Sequence, residues 1–396
     1  MNLEMLKRVV AADVYKNGTL AGTMERMDSG VVRFAYTSDY LAAGHPQVAF
    51  SLPLSGGPVE TANGAIPAFF AGLLPEGHRL TVLKNAAKTS FDDELTLLLA
   101  VGADVPGDVQ IVPAGESPVE PDALADASHP GDLDFAALAN SVDLHGLPGV
   151  QDKASASMLT TPLATRGQRF LLKIDPAENP HLVVNEAAHL AAARALGIPV
   201  ASAEVVLDRT GREGLLVKRF DRTKGPTGQW DRLPLEDGTQ VMDLPPALKY
   251  GVSAEALALA LAEKCRMPLP ALRNFYLQFL FAWLSGNGDL HAKNISILGD
   301  GTGFFAPAPV YDVPCTLLYG DETMALPIAG KLKNLRARHW TEFANTLGLP
   351  PRTVASANNL ALKAAMSIDL SLLPFEGSPL NGTQRELRFR RHELEA

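Results

Sequence analysis

Cysteine is nearly absent from this sequence: 396 residues hold two, Cys265 and Cys315. Two are too few for a disulfide framework, and they lack metal-ligand spacing. A stapled secreted scaffold and a cysteine zinc site are therefore excluded, and a reducing compartment, by default the cytoplasm, is expected. Charge is also modest, with 20% charged residues and a net charge of −9. That balance argues against a chain that grips nucleic acid by its overall field. Long apolar runs are missing. The longest helical candidate, Leu272 to Leu284, is interrupted by Arg273, Asn274 and Gln278 and falls short of the roughly 20 residues a bilayer requires. It reads as a buried core helix, and no membrane association is expected. The first residues scatter Glu4, Lys7, Arg8 and Asp13 through what would be the apolar core of a signal peptide, so none is expected. No fixed-period repeat is found.

What is present is an ordinary globular balance, 46% apolar residues, in a chain long enough for roughly two to three domains. Asn17-Gly18 between apolar runs marks a hairpin, and Val31 to Tyr36 has strand character, so the chain opens β-rich. Helical stretches follow near Ala68 to Leu73 and Asp92 to Ala100, then a strand at Val109 to Val112. From Pro113 to about Gly131 the composition turns to Pro, Glu, Ala, Asp and Ser, which marks a linker. Arg169 to Ile174 alternates as a strand, with Phe170, Leu172 and Ile174 on one face and Lys173 on the other. Asn185 is expected to cap an Ala-rich helix from Glu186 to Leu196 that ends at Gly197, before Pro199. Strands are expected at Ala203 to Leu207 and Gly214 to Phe220. After about Asp243 the pattern is helical, near Ala254 to Lys264, Ala271 to Leu284, His339 to Leu347 and Thr353 to Met366. Phe275, Tyr276, Phe279, Phe281 and Trp283 read as core packing, and the C-terminal Arg385, Arg388, Arg390 and Arg391 as a solvated face.

The stretch that carries chemistry is Ser285-Gly286-Asn287-Gly288-Asp289-Leu290-His291-Ala292-Lys293-Asn294, wedged between the buried helix and a strand at Ile295 to Leu298. Asp289 and Asn294 stand at the separation used by a kinase catalytic loop, where the aspartate accepts the proton of the substrate hydroxyl and the asparagine holds magnesium. The turn-rich Gly299 to Gly303 then leads back to Tyr311-Asp312, which returns Asp312 beside Asn294. A transferring phosphoryl group needs a hard cation that takes only one or two protein carboxylates, and Asp312 suits that role. Lys173 could hold the α- and β-phosphates, or be a solvated lysine on an outer strand face. Glu186 could pair with Lys173 or only complement a helix dipole. Asp289 alone could be a turn or capping residue. His291 has no second histidine or cysteine at ligand spacing, so it reads as a polar contact to phosphate rather than a zinc ligand. Gly146 to Lys153 is a glycine-bearing turn able to present backbone N–H groups to phosphates.

These residues resemble the HipA family, the kinase toxins of bacterial toxin-antitoxin modules. The resemblance is carried by Ser51-Leu52-Pro53-Leu54 and Phe69 to Gly77 in the first part. Leu147 to Lys153, Val217 to Arg222, Leu235-Glu236-Asp237 and Gly288 to Asn294 carry it further along, in the family's order. It implies an α/β plus all-α fold in which a mixed α/β N-terminal part packs on a helical C-terminal lobe with a nucleotide cleft between. The expected division is 1–112 for the N-terminal subdomain, 113–134 for a linker, 135–243 for the N-lobe-like α/β region and 244–396 for the helical lobe. The implied activity is ATP- and Mg2+-dependent serine/threonine phosphorylation. Asp289 would be the general base, Asn294 and Asp312 the metal ligands, and Lys173 the phosphate lysine. His291 and Lys293 would lie near the γ-phosphate, with Ala292 and Tyr311 also at the nucleotide. Pro148, Gly149, Val150, Gln151, Asp152 and Lys153 would cover the phosphates, and Lys218, Arg219 and Phe220 would lie at the adenine. The implied partners are a HipB-like helix-turn-helix antitoxin, operator DNA reached only through it, and a translation component such as glutamyl-tRNA synthetase. A pseudokinase that only binds partners and a small-molecule phosphotransferase are the alternatives. Two departures stand out: Gly146 occupies the position where the family commonly carries the serine whose autophosphorylation silences the kinase, and Lys218 stands where an acidic residue is usual.

Overall fold

The computed structural model describes residues 3–139, 158–165, 168–225 and 229–395. The first unit is an antiparallel sheet of β1 (Ala11–Lys16), β2 (Thr19–Arg26), β3 (Val32–Tyr36), β4 (Val59–Thr61) and β5 (Val109–Pro113), in the order β4-β3-β2-β1-β5. Asn17 and Gly18 both take positive φ, 45° and 75°, the twist a two-residue hairpin needs between right-twisted strands. One face of this sheet buries Val14, Met24 and Phe34 against Phe70 and the leucines of the Glu94–Val101 helix.

A second antiparallel sheet follows: β6 (Leu159–Ala164), β7 (Arg169–Ile174), β8 (Ala203–Leu207) and β9 (Glu213–Lys218), in the order β6-β7-β9-β8. Its outer face buries Leu172 and Ile174 on Phe135. Because side chains alternate along a strand, Lys173 falls on the opposite face, toward the rest of the chain. The stretch from Pro113 to Asp134 lies along β6: the Ala127 amide donates to the Ala164 carbonyl at 2.8 Å, and Glu120 pairs with Arg169 and Arg232, each at 3.1 Å.

Three local readings need correction. The helix after β7 spans Leu182–Ala193 rather than starting at Glu186. Its amide ends are satisfied from outside, since the Asp175 carboxylate accepts from His181 N at 2.6 Å and Val183 N at 2.8 Å. Asn185 is thus not a cap. It is fully buried inside the helix, and its amide exchanges two hydrogen bonds with the Cys315 backbone, at 3.1 and 2.9 Å. Arg390 departs from the expected solvated face as well: it is buried in the Gly377–Glu395 helix and donates to the carbonyls of Trp283 and Glu322.

After the hairpin of β10 (Arg222–Lys224) and β11 (Trp230–Arg232), a small sheet joins β12 (Leu235–Asp237) to β13 (Ser296–Gly299) and β14 (Phe305–Pro307). The remainder is helical around Pro268–Ser285, whose Phe275, Tyr276, Phe279, Phe281 and Trp283 are all buried. Among the described residues no helix is long and apolar enough to cross a membrane. Both cysteines are free and buried.

Candidate active site

A cleft opens between the inner face of the second sheet, the small β12-β13-β14 sheet and the end of the buried helix. Ten of the expected site residues line it: Lys173, Lys218, Arg219, Phe220, Asp289, His291, Lys293, Asn294, Tyr311 and Asp312. Ala292 is not on its wall. It is fully buried, its amide donating to the Lys249 carbonyl at 3.1 Å. Residues Pro148 to Lys153, and Gly146 with them, lie outside the described residues.

β7 delivers Lys173. Its Nζ lies 2.9 Å from both Glu186 oxygens and 2.9 Å from Asp312 Oδ1, so one ammonium joins the sheet, the Leu182–Ala193 helix and the strand return. Burial alone would lower the lysine's affinity for its proton, but the charges of Asp312 and Glu186 outweigh it and raise the pKa. At Asp312 the balance runs likewise: burial works to raise the pKa and the Lys173 charge brings it below the usual carboxylate value. Asp312 has φ of +56°, a conformation that aspartate tolerates better than most residues. Strained backbone of this kind clusters at ligand-holding sites. Three residues on, the Asn185 pairing pins Cys315 and with it the end of this segment.

The loop bearing Asp289 begins where the long helix stops. Gly286 takes φ of +80° and closes the helix as a left-handed cap, its N–H reaching back to the last turn. A side chain there would meet Cys315 Sγ at 2.8 Å. Asn287 Oδ1 then accepts from the Asp289 amide at 2.8 Å, and Asn294 Nδ2 donates to the Asp289 carbonyl at 2.9 Å. The five-residue spacing thus closes a compact loop in which the asparagine braces the aspartate. Tyr311 Oη donates to the Lys293 carbonyl at 2.8 Å and lies 2.6 Å from Ser296 Oγ. Burial, and after it the Asp312 charge, push the Asp289 carboxyl up to about 7, near the value suited to a base at neutral pH. His291 moves the other way, down to about 3, through burial and then the Lys249 charge. It is held neutral, Nδ1 accepting from the Lys293 amide at 3.2 Å.

Three features escaped the sequence. Glu76, from the first unit, reaches over the loop: its Oε1 is 2.8 Å from Lys293 Nζ, and its other oxygen is paired with Lys249 Nζ. Burial opposes ionisation there, yet Lys293 and Lys249 hold its carboxyl down to about 2. Lys293, expected near a γ-phosphate, is engaged by Glu76 and by the Gly72 carbonyl at 3.2 Å. Next, the Arg219 guanidinium is held in a buried cluster with Asp104 at 2.9 Å and Asp221 at 2.9 and 3.0 Å. The third is Tyr250, whose Oη donates to Asp289 Oδ1 at 3.0 Å. Phe69 to Gly77 carries part of the family resemblance, but nothing in its composition tells which lysines Glu76 meets.

A strand lysine paired to a helix glutamate, opposite a loop with aspartate and asparagine five apart, defines the class as kinase-like. The chain belongs to the HipA-like kinase family: residues 145–368 match the HipA-like C-terminal domain and residues 12–112 the HipA N-terminal domain. Among curated relatives, Y4mE of Sinorhizobium fredii is 29% identical over 364 residues, covering 85% of this chain and 86% of its own. The serine/threonine-protein kinase toxin HipA of Shewanella oneidensis is 28% identical over 353 residues, covering 81% and 79%. The fold is that of the solved Shewanella oneidensis MR-1 complex of HipA, HipB and operator DNA. The TM-score is 0.74 over 97% of this chain and 96% of that one, at 22% identity.

Proposed function

We propose that the protein is an ATP- and Mg2+-dependent serine/threonine protein kinase of the toxin type. The observation that carries this reading is the convergence of Lys173, paired to Glu186 and to Asp312, on the cleft that also holds Asp289 and Asn294. The half-open Asp312 carboxylate, 37% exposed, and the Asn294 side chain are one carboxylate and one neutral oxygen ligand, the small protein share that magnesium takes when phosphates and water supply the rest. Bound there, the cation would neutralise charge on the phosphate oxygens. Lys173, already protonated, would hold the α- and β-phosphates, with Glu186 fixing its ammonium. Asp289 would accept the proton of the attacking serine or threonine hydroxyl as the new P–O bond forms and the bond to ADP breaks. Lys218, Arg219 and Phe220 would border the adenine through backbone and the Phe220 ring, since the Arg219 guanidinium is committed elsewhere. His291 and Lys293 would face the γ-phosphate side, and Pro148 to Lys153 would complete the phosphate cover.

The likeness to the Shewanella toxin, seen in complex with HipB and operator DNA, supports a HipB-like antitoxin as partner, with operator DNA reached through it. A translation component such as glutamyl-tRNA synthetase is the proposed substrate. With glycine at position 146, the self-silencing serine is missing, and the antitoxin would carry more of the restraint. The test is incubation with magnesium and γ-labelled ATP, with cell lysate in one arm and purified glutamyl-tRNA synthetase in the other. Label should enter protein in the wild type and vanish with Asp289→Asn and with Asp312→Asn. Transfer that survives either substitution refutes the assignment, and label found only in small molecules refutes the protein-kinase reading.

A further inference from the structure

The bonds that set Asp289 in place stop at its backbone. Asn287 holds its amide and Asn294 its carbonyl. Neither fixes the carboxylate, whose terminal torsion is broad and two-fold rather than locked in a rotamer well. The side-chain oxygen is reached by Tyr250, whose Oη donates to Oδ1 at 3.0 Å. The phenol is itself held. Its ring meets the His291 ring edge to face, with centroids 5.1 Å apart and planes at 86°. Lys249, the residue before it, accepts the Ala292 amide at its carbonyl, at 3.1 Å, and its ammonium lies 5.8 Å from the Tyr250 centroid while paired to Glu76 of the N-terminal unit. The loop, the tyrosine and the N-terminal unit are thereby stitched into one piece around the carboxylate.

We infer that Tyr250 is a positioning residue for the phosphoryl-transfer step: it engages Asp289 Oδ1, fixes the plane of the carboxylate and leaves Oδ2 to accept the proton of the substrate hydroxyl. The inference rests on the reading of Asp289 as general base. A hydrogen bond to a charged group contributes about 1.5–3 kcal/mol, so its loss during the chemical step corresponds to about ten- to a hundredfold in rate. Tyr250→Phe keeps the ring, its contact with His291 and its place beside Lys249, and removes the hydroxyl that donates to Asp289.

The experiment uses the intact chain, γ-labelled Mg2+-ATP and dephosphorylated lysate protein as acceptor, and compares wild type, Asp289→Asn and Tyr250→Phe. The expected result is a maximal transfer rate lowered about tenfold or more in Tyr250→Phe, with the ATP KM and the melting temperature held, since a bond that orients the base without touching the nucleotide acts on the chemical step and moves kcat alone. A rate within about twofold of wild type, or a rise in ATP KM that matches the fall in rate as a distorted site would give, overturns the inference. Wild type that transfers and is silenced by Asp289→Asn, while Tyr250→Phe is fully active, removes this inference and leaves the kinase reading standing. Wild type that transfers nothing removes both.

Discussion

Replacing Asp104 by asparagine tests how the N-terminal unit is fastened to the rest of the chain. Asp104 belongs to the N-terminal unit and is 2% exposed at its side chain, yet its two oxygens meet Arg222 at 2.6 Å, Arg219 at 2.9 Å and Arg232 at 3.4 Å. Asp221 supplies a second carboxylate, 2.7 Å from Arg222 and 2.9 Å from Arg219, and Glu120 a third, 3.1 Å from Arg232. Three carboxylates thus face these three guanidinium groups, and Glu120 also pairs with a fourth, that of Arg169, at 3.1 Å, so the cluster has no spare negative charge. The asparagine side chain would fill the same volume, so no cavity forms, but one buried positive charge would be left unbalanced. Breaking a buried ionic network in this way costs about 3–5 kcal/mol, a large share of the roughly 5–15 kcal/mol that holds a domain folded. Glu120→Gln is the internal comparison: its carboxylate is 20% exposed against 2% for Asp104, so solvent screens part of its pairing and the loss should be smaller. Urea unfolding followed by the fluorescence of Trp230, which lies 4.8 Å from the Arg169 guanidinium, and of Trp283 and Trp340 reads both variants. Because Arg219 sits between Lys218 and Phe220 on the cleft wall, Asp104→Asn should also raise the ATP KM. A loss of stability below about 1 kcal/mol, or one equal to that of Glu120→Gln, would refute the reasoning.

Glu236 gives a pH prediction of definite sign. Burial pushes this carboxyl up to about 8 from 4.5, against the lowering effect of the Phe50 amide, which donates to both of its oxygens at 3.1 and 3.2 Å. Between those two values the folded protein binds the proton that the unfolded chain has released, so stability falls as pH rises through that window, by at most about 1.4 kcal/mol per pH unit. Glu236→Gln should flatten that part of the stability-versus-pH curve; an unchanged slope would show that the proton sits elsewhere. Gly238→Ala should disturb the Asp289 loop from behind, because a Cβ there would clash with Leu257 Cδ1 and come within 2.7 Å of the Ala292 carbonyl oxygen. Overpacking of this kind costs about 1–3 kcal/mol. Unfolding and ATP turnover should both report it, and a variant with wild-type stability and turnover would mean that the loop yields freely.

Much of the framework was legible because local rules govern it. Alternation along Arg169–Ile174 placed Lys173 opposite Leu172 and Ile174, and the structure puts those two in a core with Lys173 in the cleft. The Asn17-Gly18 turn, the helix Ala254–Lys264 and the buried aromatic helix follow equally from local pattern. The start of the Leu182–Ala193 helix is not legible because its cap comes from Asp175, and a capping bond from outside the usual flanking position leaves no signature at the expected residue. Asn185 looks like a cap for the same reason: its amide is a good capping group, and its real partner, the Cys315 backbone, lies 130 residues away. Burial of Arg390 is invisible in sequence because a charged helix face does not reveal that two carbonyls wait beneath one of its arginines.

The sequence by itself determined the candidate chemistry, since a strand lysine and an aspartate and asparagine five residues apart in a short loop are set by spacing and side-chain alternation. Tertiary structure alone decided the company these groups keep. Glu186 rather than solvent faces Lys173, Glu76 of the first unit reaches Lys293 in the Asp289 loop, and Tyr250 rather than the loop's own backbone holds the Asp289 carboxylate. The physical reason is that hydrogen bonds and ion pairs depend on distance in space. Periodicity and spacing record only distance along the chain.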